Sequence, residues 1–179
     1  YNHKTQKKEM TNEEICCVLD QLKIVGTKSI IISGGEPLCR DNIFDLLDYA
    51  SKRLSVGLLT NGVKAGGQPI NATEAKRMAS SCKWVQVSLD SLNPQTYKEV
   101  RGSETMEAAI TSIKHLAAAG VPIEVSMTLQ HDNIVEAPSF QETFRTSVCA
   151  NVPIRFKFAH GPDKGNNFLP TQQQLENLI

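Results

Sequence analysis

Gly34-Gly35-Glu36, set between Ile30-Ile31-Ile32-Ser33 and Pro37, is the first place in this chain where residue types and spacing suggest chemistry. Two consecutive residues without a Cβ let the backbone turn sharply and approach a ligand closely. Glu36 sets a carboxylate beside those carbonyls, which makes an acceptor-rich patch suited to a ligand ammonium. A phosphate loop does the reverse: it aims N–H groups at an anion and adds a lysine. No Gly-Lys-Ser/Thr follows here. Further along, Ser88 and Asp90 alternate within Val87-Ser88-Leu89-Asp90, so they point the same way and suit a ribose-like diol. Arg101-Gly102 offers a guanidinium to a carboxylate, and Thr60-Asn61-Gly62 adds another small polar turn. Each group alone has an ordinary structural reading. The glycines make a plain turn with a surface Glu, Asp90 caps a backbone N–H in an Asx turn, and Arg101 is an exposed loop arginine.

The elements that must position these residues are visible in the apolar pattern. Short β-branched runs at Ser29–Ser33, Ser55–Thr60, Trp84–Leu89, Pro122–Leu129 and Val152–Phe158 predict five strands. Helical spacing fills the gaps between them. Thr11 with Glu14 forms a capping box ahead of Ile15, Val18 or Leu19, Leu22 and Val25, and Gly26 closes that helix. Asp41 is the expected N-cap of a second helix carrying Ile43, Leu46, Leu47 and Ala50. Others are predicted from Asn71 or Thr73 to Cys82, Ser103 to Ala119 and Glu136 to Val148, and another follows Thr171. Strands alternating with helices at intervals of about 30 residues are the signature of βα units in a parallel sheet. Most strands read as continuous apolar runs, as expected where both faces are covered. The last differs: Val152, Ile154, Phe156 and Phe158 alternate with Arg155 and Lys157, which predicts one wet face, at an edge or inside a barrel. The fold class is α/β, and an open doubly wound sheet and a (β/α) barrel both fit. In either, ligands bind beyond the carboxyl ends of the strands, where all the residues above fall.

Composition narrows the function classes. The 179 residues suit one domain, 40% are hydrophobic and 21% charged, and nineteen Lys and Arg balance nineteen Asp and Glu. A zero net charge argues against nucleic-acid binding through a basic field. No apolar run approaches the roughly 20 residues that span a bilayer, and Tyr1 to Met10 lacks the apolar core of a secretory signal. The expectation is a cytoplasmic protein with no membrane partner. Five cysteines, odd in number and without a repeating spacing, read as reduced thiols, with Cys16, Cys17, Cys82 and Cys149 expected mostly buried.

Taken in order, the landmarks carry a resemblance. Ile32-Ser33-Gly34-Gly35-Glu36-Pro37-Leu38, then Thr60-Asn61-Gly62, then Val87-Ser88-Leu89-Asp90, then Tyr97 to Gly102 resemble the radical S-adenosylmethionine (SAM) enzymes over nearly the whole chain. The resemblance implies most of a (β/α)6 partial TIM-like barrel. It implies that Ser33, Gly34, Gly35, Glu36 and Pro37 form the loop that holds the SAM amino group. Thr60 and Asn61 are further cofactor-binding residues, Ser88 and Asp90 contact the ribose or nearby polar atoms, Arg101 takes the carboxylate, and Met127 or Thr128 borders the adenine. In this family a reduced [4Fe–4S] cluster cleaves SAM to a 5′-deoxyadenosyl radical that abstracts a substrate hydrogen. The protein orients the cofactor and excludes water, and an electron donor serves the cluster.

One departure stands out. The family's three cluster cysteines at Cys-x3-Cys-x2-Cys spacing are not in this chain. Because a Tyr often follows the third of them, Tyr1-Asn2-His3 reads as the start of a fragment of one core domain, cut just after the cluster loop. The first strand would then be missing and the Ser29–Ser33 strand left at an edge. The substrate class stays open between peptides, as in members with a cysteine-rich SPASM-type extension, and small molecules, as in the molybdopterin-pathway cyclases. His131 and His160 follow strand ends and are further polar candidates. Two other readings stand beside this one: a barrel-derived module that binds SAM or a peptide without turnover, and a cofactor-free acid/base enzyme using Glu36 and Asp90.

Overall fold

A computed structural model describes residues 9–159 and 168–178. Five parallel strands form one sheet: β1 (Ser29–Ile32), β2 (Ser55–Thr60), β3 (Trp84–Ser88), β4 (Ile123–Leu129) and β5 (Ile154–Phe158), in the spatial order β1-β2-β3-β4-β5. That order decides between the two architectures left open by the strand pattern. A doubly wound sheet reverses direction at a switch point and scrambles its strand order. When strands follow one another in sequence, each right-handed crossover lands on the same side. One sheet face is then packed with helices, and the other becomes the inner wall of a partial barrel.

The helices are α1 (Asn12–Ile24), α2 (Ile43–Ser51), α3 (Ala72–Ser81), α4 (Pro94–Arg101), α5 (Met106–Ala118), α6 (Ala137–Ser147) and α7 (Gln172–Glu176). Thr11 and Glu14 close the capping box of α1, at 2.7 and 3.2 Å, and Asn71 with Glu74 does the same for α3. At α2 the expected cap is displaced by one residue. Asn42 occupies the N-cap with φ +56°, and Asp41 lies exposed before it. The helix predicted from Ser103 is α5, and a further helix precedes it: Asn93 and Pro94 start α4, with Asn93 Oδ1 accepting from the backbone N–H of Gln95 and Thr96. Asparagine as N-cap followed by proline at the first helical position is a start signal that the reading from Ser103 passed over.

The core lies between sheet and helices. Val56 and Leu58, Val85 and Val87, and Val125 and Met127 pack against Leu47, Met78, Ile113 and Leu116, all nearly or fully buried. The inner wall is different, which corrects the expectation of strands covered on both faces. On β3 burial alternates, with Val85 and Val87 in the core and Trp84, Gln86 and Ser88 half-buried on the other side. The alternation anticipated for the last strand is instead seen on β3, whereas on β5 Arg155 to Phe158 are all exposed and both faces are wet.

Trp84, the protein's single tryptophan, lies across Gly57 of the neighbouring strand. A Cβ at Gly57 would stand 2.4 Å from Cζ2 of that ring. Gly57→Ala should therefore displace the indole and cost about 1–3 kcal/mol by overpacking. Urea unfolding and the Trp84 emission maximum check this, and an unaltered spectrum would place the ring elsewhere.

Candidate functional site

A cleft of about 920 Å³ opens at the carboxyl ends of β1, β2 and β3. After β1, Ser33, Gly34, Gly35 and Glu36 form one side of it. Gly34 has φ +142°, a conformation that L side chains rarely adopt, and a Cβ at Gly34 or Gly35 would meet nothing within 4 Å. The loop's backbone is bare toward the cleft, the condition for close approach of a ligand.

Glu36 is more committed than its place in the motif suggests. Its Oε1 accepts from the Leu38 N–H at 3.0 Å, capping the 3-10 turn Pro37–Cys39, and from the Thr60 hydroxyl. Its Oε2 accepts from the Asn61 N–H at 2.6 Å. The carboxylate therefore stitches the glycine loop to the end of β2. An ionised carboxylate offers about four acceptor sites, and three are used by these donors. One site, on Oε2, is left for a ligand cation. Behind it, Ser112 is fully buried in α5, donates to the Gly62 carbonyl at 2.6 Å and accepts from Ile70 N–H at 2.8 Å, holding the Thr60-Asn61-Gly62 turn from below.

Ser88 and Arg101 form the opposite side of the cleft, with the buried ring of Tyr97 between α4 and the sheet. Arg101 sits in the last turn of α4 rather than in a loop, and only about a quarter of its side chain is exposed. Its guanidinium is held by Asp90, with Nη1 to Oδ2 at 3.1 Å. The other Asp90 oxygen accepts the Thr128 N–H at 2.7 Å, where the β3–β4 ladder would otherwise continue from its Leu89-to-Ser126 bond. Burial pushes the Asp90 carboxyl up from its ordinary range, against the opposing pull of Arg101 and the Thr128 N–H.

Asp90 is thus turned away from the cleft that Ser88 enters, which corrects the expectation that the two share one ligand group. Glu36 and Asp90 are committed to separate sets of donors. Met127 is fully buried on the helix side of β4 and is likewise out of reach of the cleft. Thr128 contributes its backbone N–H to Asp90, and Pro37 is buried at the start of its turn; neither borders the cleft. His131 pairs with Asp132 at 2.9 Å, away from these residues, and His160 lies outside the described residues. The residue that sequence reasoning missed is Asn133. Fully buried, it donates to the carbonyls of Asp90 (2.8 Å) and Thr128 (2.9 Å) and accepts from Gln130 N–H, tying the ends of β3 and β4 together. Its bonds to Gln130 and Thr128 are those of an ordinary turn; the one to the Asp90 carbonyl, 43 residues distant, leaves no local pattern.

The cysteines divide differently from the expectation. Cys82 is buried, its thiol pushed up to about 12 by desolvation, whereas Cys17 and Cys39 are exposed and Cys16 and Cys149 half-buried. Among the described residues no three His, Cys, Asp or Glu side chains gather as a metal site. The residues present therefore do not fit a [4Fe–4S] cluster.

A sequential parallel sheet with a polar cleft at its carboxyl edge defines a partial (β/α) barrel, and solved structures bear that out. The structure "Native anSMEcpe with bound AdoMet and Kp18Cys peptide" superposes with a TM-score of 0.75 at 18% identity, covering 99% of this chain and 54% of that one. The Streptococcus suis SuiB structure with S-adenosylmethionine gives 0.69 at 17%, covering 96% and 40%. The family follows from the sequence: the profile of the Radical SAM superfamily matches residues 2–139, and the chain belongs to that superfamily. Among curated relatives, mycofactocin maturase MftC of Mycobacterium ulcerans is 31% identical over 135 residues, 74% of this chain and 35% of its own length. A probable GTP 3′,8-cyclase of Methanosarcina mazei is 32% identical over 125 residues, 68% and 36%. The chain thus spans little more than a third of the length of these relatives.

Proposed function

We propose that this chain is the SAM-binding core of a radical SAM enzyme acting on a peptide. The Gly34–Glu36 loop would hold the methionine ammonium, Arg101 its carboxylate and Ser88 the ribose. The observation that carries this reading is the convergence of three separate segments, 33–36, 88 and 101, on one cleft. Their chemistry is that of the ligand. An acceptor-rich loop with one free carboxylate site suits an ammonium, an arginine fixed from behind suits a carboxylate, and the bare glycine backbone leaves room for both. In enzymes of this class a [4Fe–4S] cluster supplies the electron that cleaves SAM. This chain's residues would bind SAM and hold its sulfonium end against the sheet edge. The 179 residues hold no Cys-x3-Cys-x2-Cys run for such a cluster, which an electron donor would serve. The relatives named as maturases, and neighbours carrying peptides, support a peptide over a small-molecule substrate. A cytoplasmic place for the enzyme belongs to the same proposal; among the described residues no helix is long and apolar enough to cross a membrane.

Calorimetric titration of SAM into the protein tests the reading. One saturable site is expected, and Ser88→Ala should weaken it about three- to tenfold by removing a single neutral hydrogen bond. Absence of saturable heat, or an unchanged constant in the variant, would remove Ser88 and its cleft from the assignment.

A further inference from the structure

The inner wall below the SAM cleft carries a polar network that the cleft itself does not use. Gln86 of β3 donates to Glu124 Oε1 of β4 at 2.6 Å. Arg155 of β5 grips the same carboxylate in a fork, Nε to Oε1 and Nη2 to Oε2, both at 2.9 Å. Lys157, the next inward residue of β5, donates to the Gln86 amide oxygen at 2.6 Å. These four side chains stand on the face opposite the apolar core. Gln86 lies one inward position before Ser88 on β3, roughly 7 Å along the strand. Beneath them, a cavity of about 410 Å³ is bordered by Trp84, Ile123 and the stem of Arg155.

The charges do not cancel. The forked Arg155 matches Glu124 and holds its carboxyl below the usual range, with further help from Gln86 and Lys157. Among the described residues, the hydrogen-bond partner of Lys157 is a neutral amide. An exposed ammonium parked on a neutral amide is readily transferred to an anion, since the bond it gives up is weaker than the charge-assisted one it gains. The fixed Glu124 beside it limits how much negative charge the wall accepts. A single carboxylate is matched by Lys157, whereas a triphosphate would meet one unmatched cation and a facing acid.

We propose that this wall is the substrate-recognition surface, with Lys157 as the receptor for the carboxylate of an acidic side chain in a peptide lying next to the bound SAM. The proposal rests on the peptide-modifying reading above and names the chemistry its substrate should carry.

The probes are blocked Gly/Ser hexapeptides with one central Glu, Gln or Lys, titrated up to millimolar concentration with and without SAM. Binding is read by calorimetry and by the emission of Trp84, which borders the wall and has no other tryptophan to mask it. The Glu peptide should bind about tenfold more tightly than the Gln peptide. Lys157→Gln should abolish that preference, Lys157→Arg should keep it, and Lys157→Glu should turn it toward the Lys peptide. Equal affinities in the wild type overturn the proposal, as do a preference that survives Lys157→Gln, tighter binding of tripolyphosphate than of the Glu peptide, and no binding of any peptide. The SAM titration separates this from the parent reading. SAM binding without acidic preference sinks the inference alone, whereas acidic preference without SAM binding sinks the SAM assignment and leaves the wall standing.

Discussion

Asp90→Ala should lower the unfolding free energy by about 3 kcal/mol and weaken SAM binding by at least tenfold, the largest double effect expected of any single change here. The carboxylate is almost wholly buried and serves two donors on different elements: the Thr128 N–H at the end of β4 and the Arg101 guanidinium at the end of α4. Alanine leaves one buried backbone donor and one largely buried cation without their acceptor, so the cost is that of orphaned groups rather than of one hydrogen bond. Arg101, no longer held, swings away from the position where it would meet the SAM carboxylate. Asp90→Asn separates the two effects. Its amide oxygen still accepts from Thr128, but its NH2 faces the guanidinium, so stability recovers in part and SAM affinity does not. The pH dependence has a defined sign. Because burial raises the folded-state pKa above the ordinary 3.8, the folded chain binds that proton more tightly than the unfolded one. This group's contribution to stability is therefore full below 3.8 and is lost as pH rises through the raised value. Protonation also loosens Arg101. On acidification, SAM affinity should fall while Asp90's own contribution to stability rises, as paired titrations and urea curves would reveal. Affinity unaffected by Asp90→Ala would show that Arg101 needs no orienting partner.

Glu36→Ala should reduce SAM affinity by about 10- to 100-fold, with a smaller loss of stability. Two causes combine. The variant loses the one carboxylate site left for the ligand ammonium. It also releases the Thr60 hydroxyl and the Asn61 N–H, so the glycine loop is no longer stitched to β2. Glu36→Gln weighs these against each other. Its oxygen can keep Leu38 and Thr60, while its NH2 opposes the Asn61 N–H. An affinity close to the alanine variant would assign the effect to charge, and one close to wild type would assign it to loop geometry. Unchanged affinity in both would take Glu36 out of the site.

Much of this is legible in the sequence, for a physical reason. The strand Ser55–Thr60 and the capped helices after Thr11 and Asn71 were placed to within a residue, because apolar period and capping chemistry act over a few positions. The glycine loop and Ser88 are legible as small polar groups at strand ends, whereas Arg101, read as a loop residue, closes α4. What escaped depends on contacts between distant segments. Asp90 alternates with Ser88 in sequence, but once the strand ends, a free backbone N–H on β4 and a cation on α4 capture its side chain. Met127 follows the same rule in reverse: a strand-end position says nothing of which face it takes, and here the core takes it. Asn133 escaped because the Asp90 carbonyl it satisfies belongs to another strand end, 43 residues distant. The half-open inner wall could not be separated from a covered sheet face until strand order showed that the crossovers land on one side.

The most direct measurement is a crystal structure of this protein grown with SAM. The account predicts SAM in the cleft, its ammonium against the Gly34–Glu36 loop, its carboxylate on Arg101 and its ribose beside Ser88. SAM found anywhere else on the molecule, or in the cleft with its methionine end pointing away from the glycine pair, would contradict it.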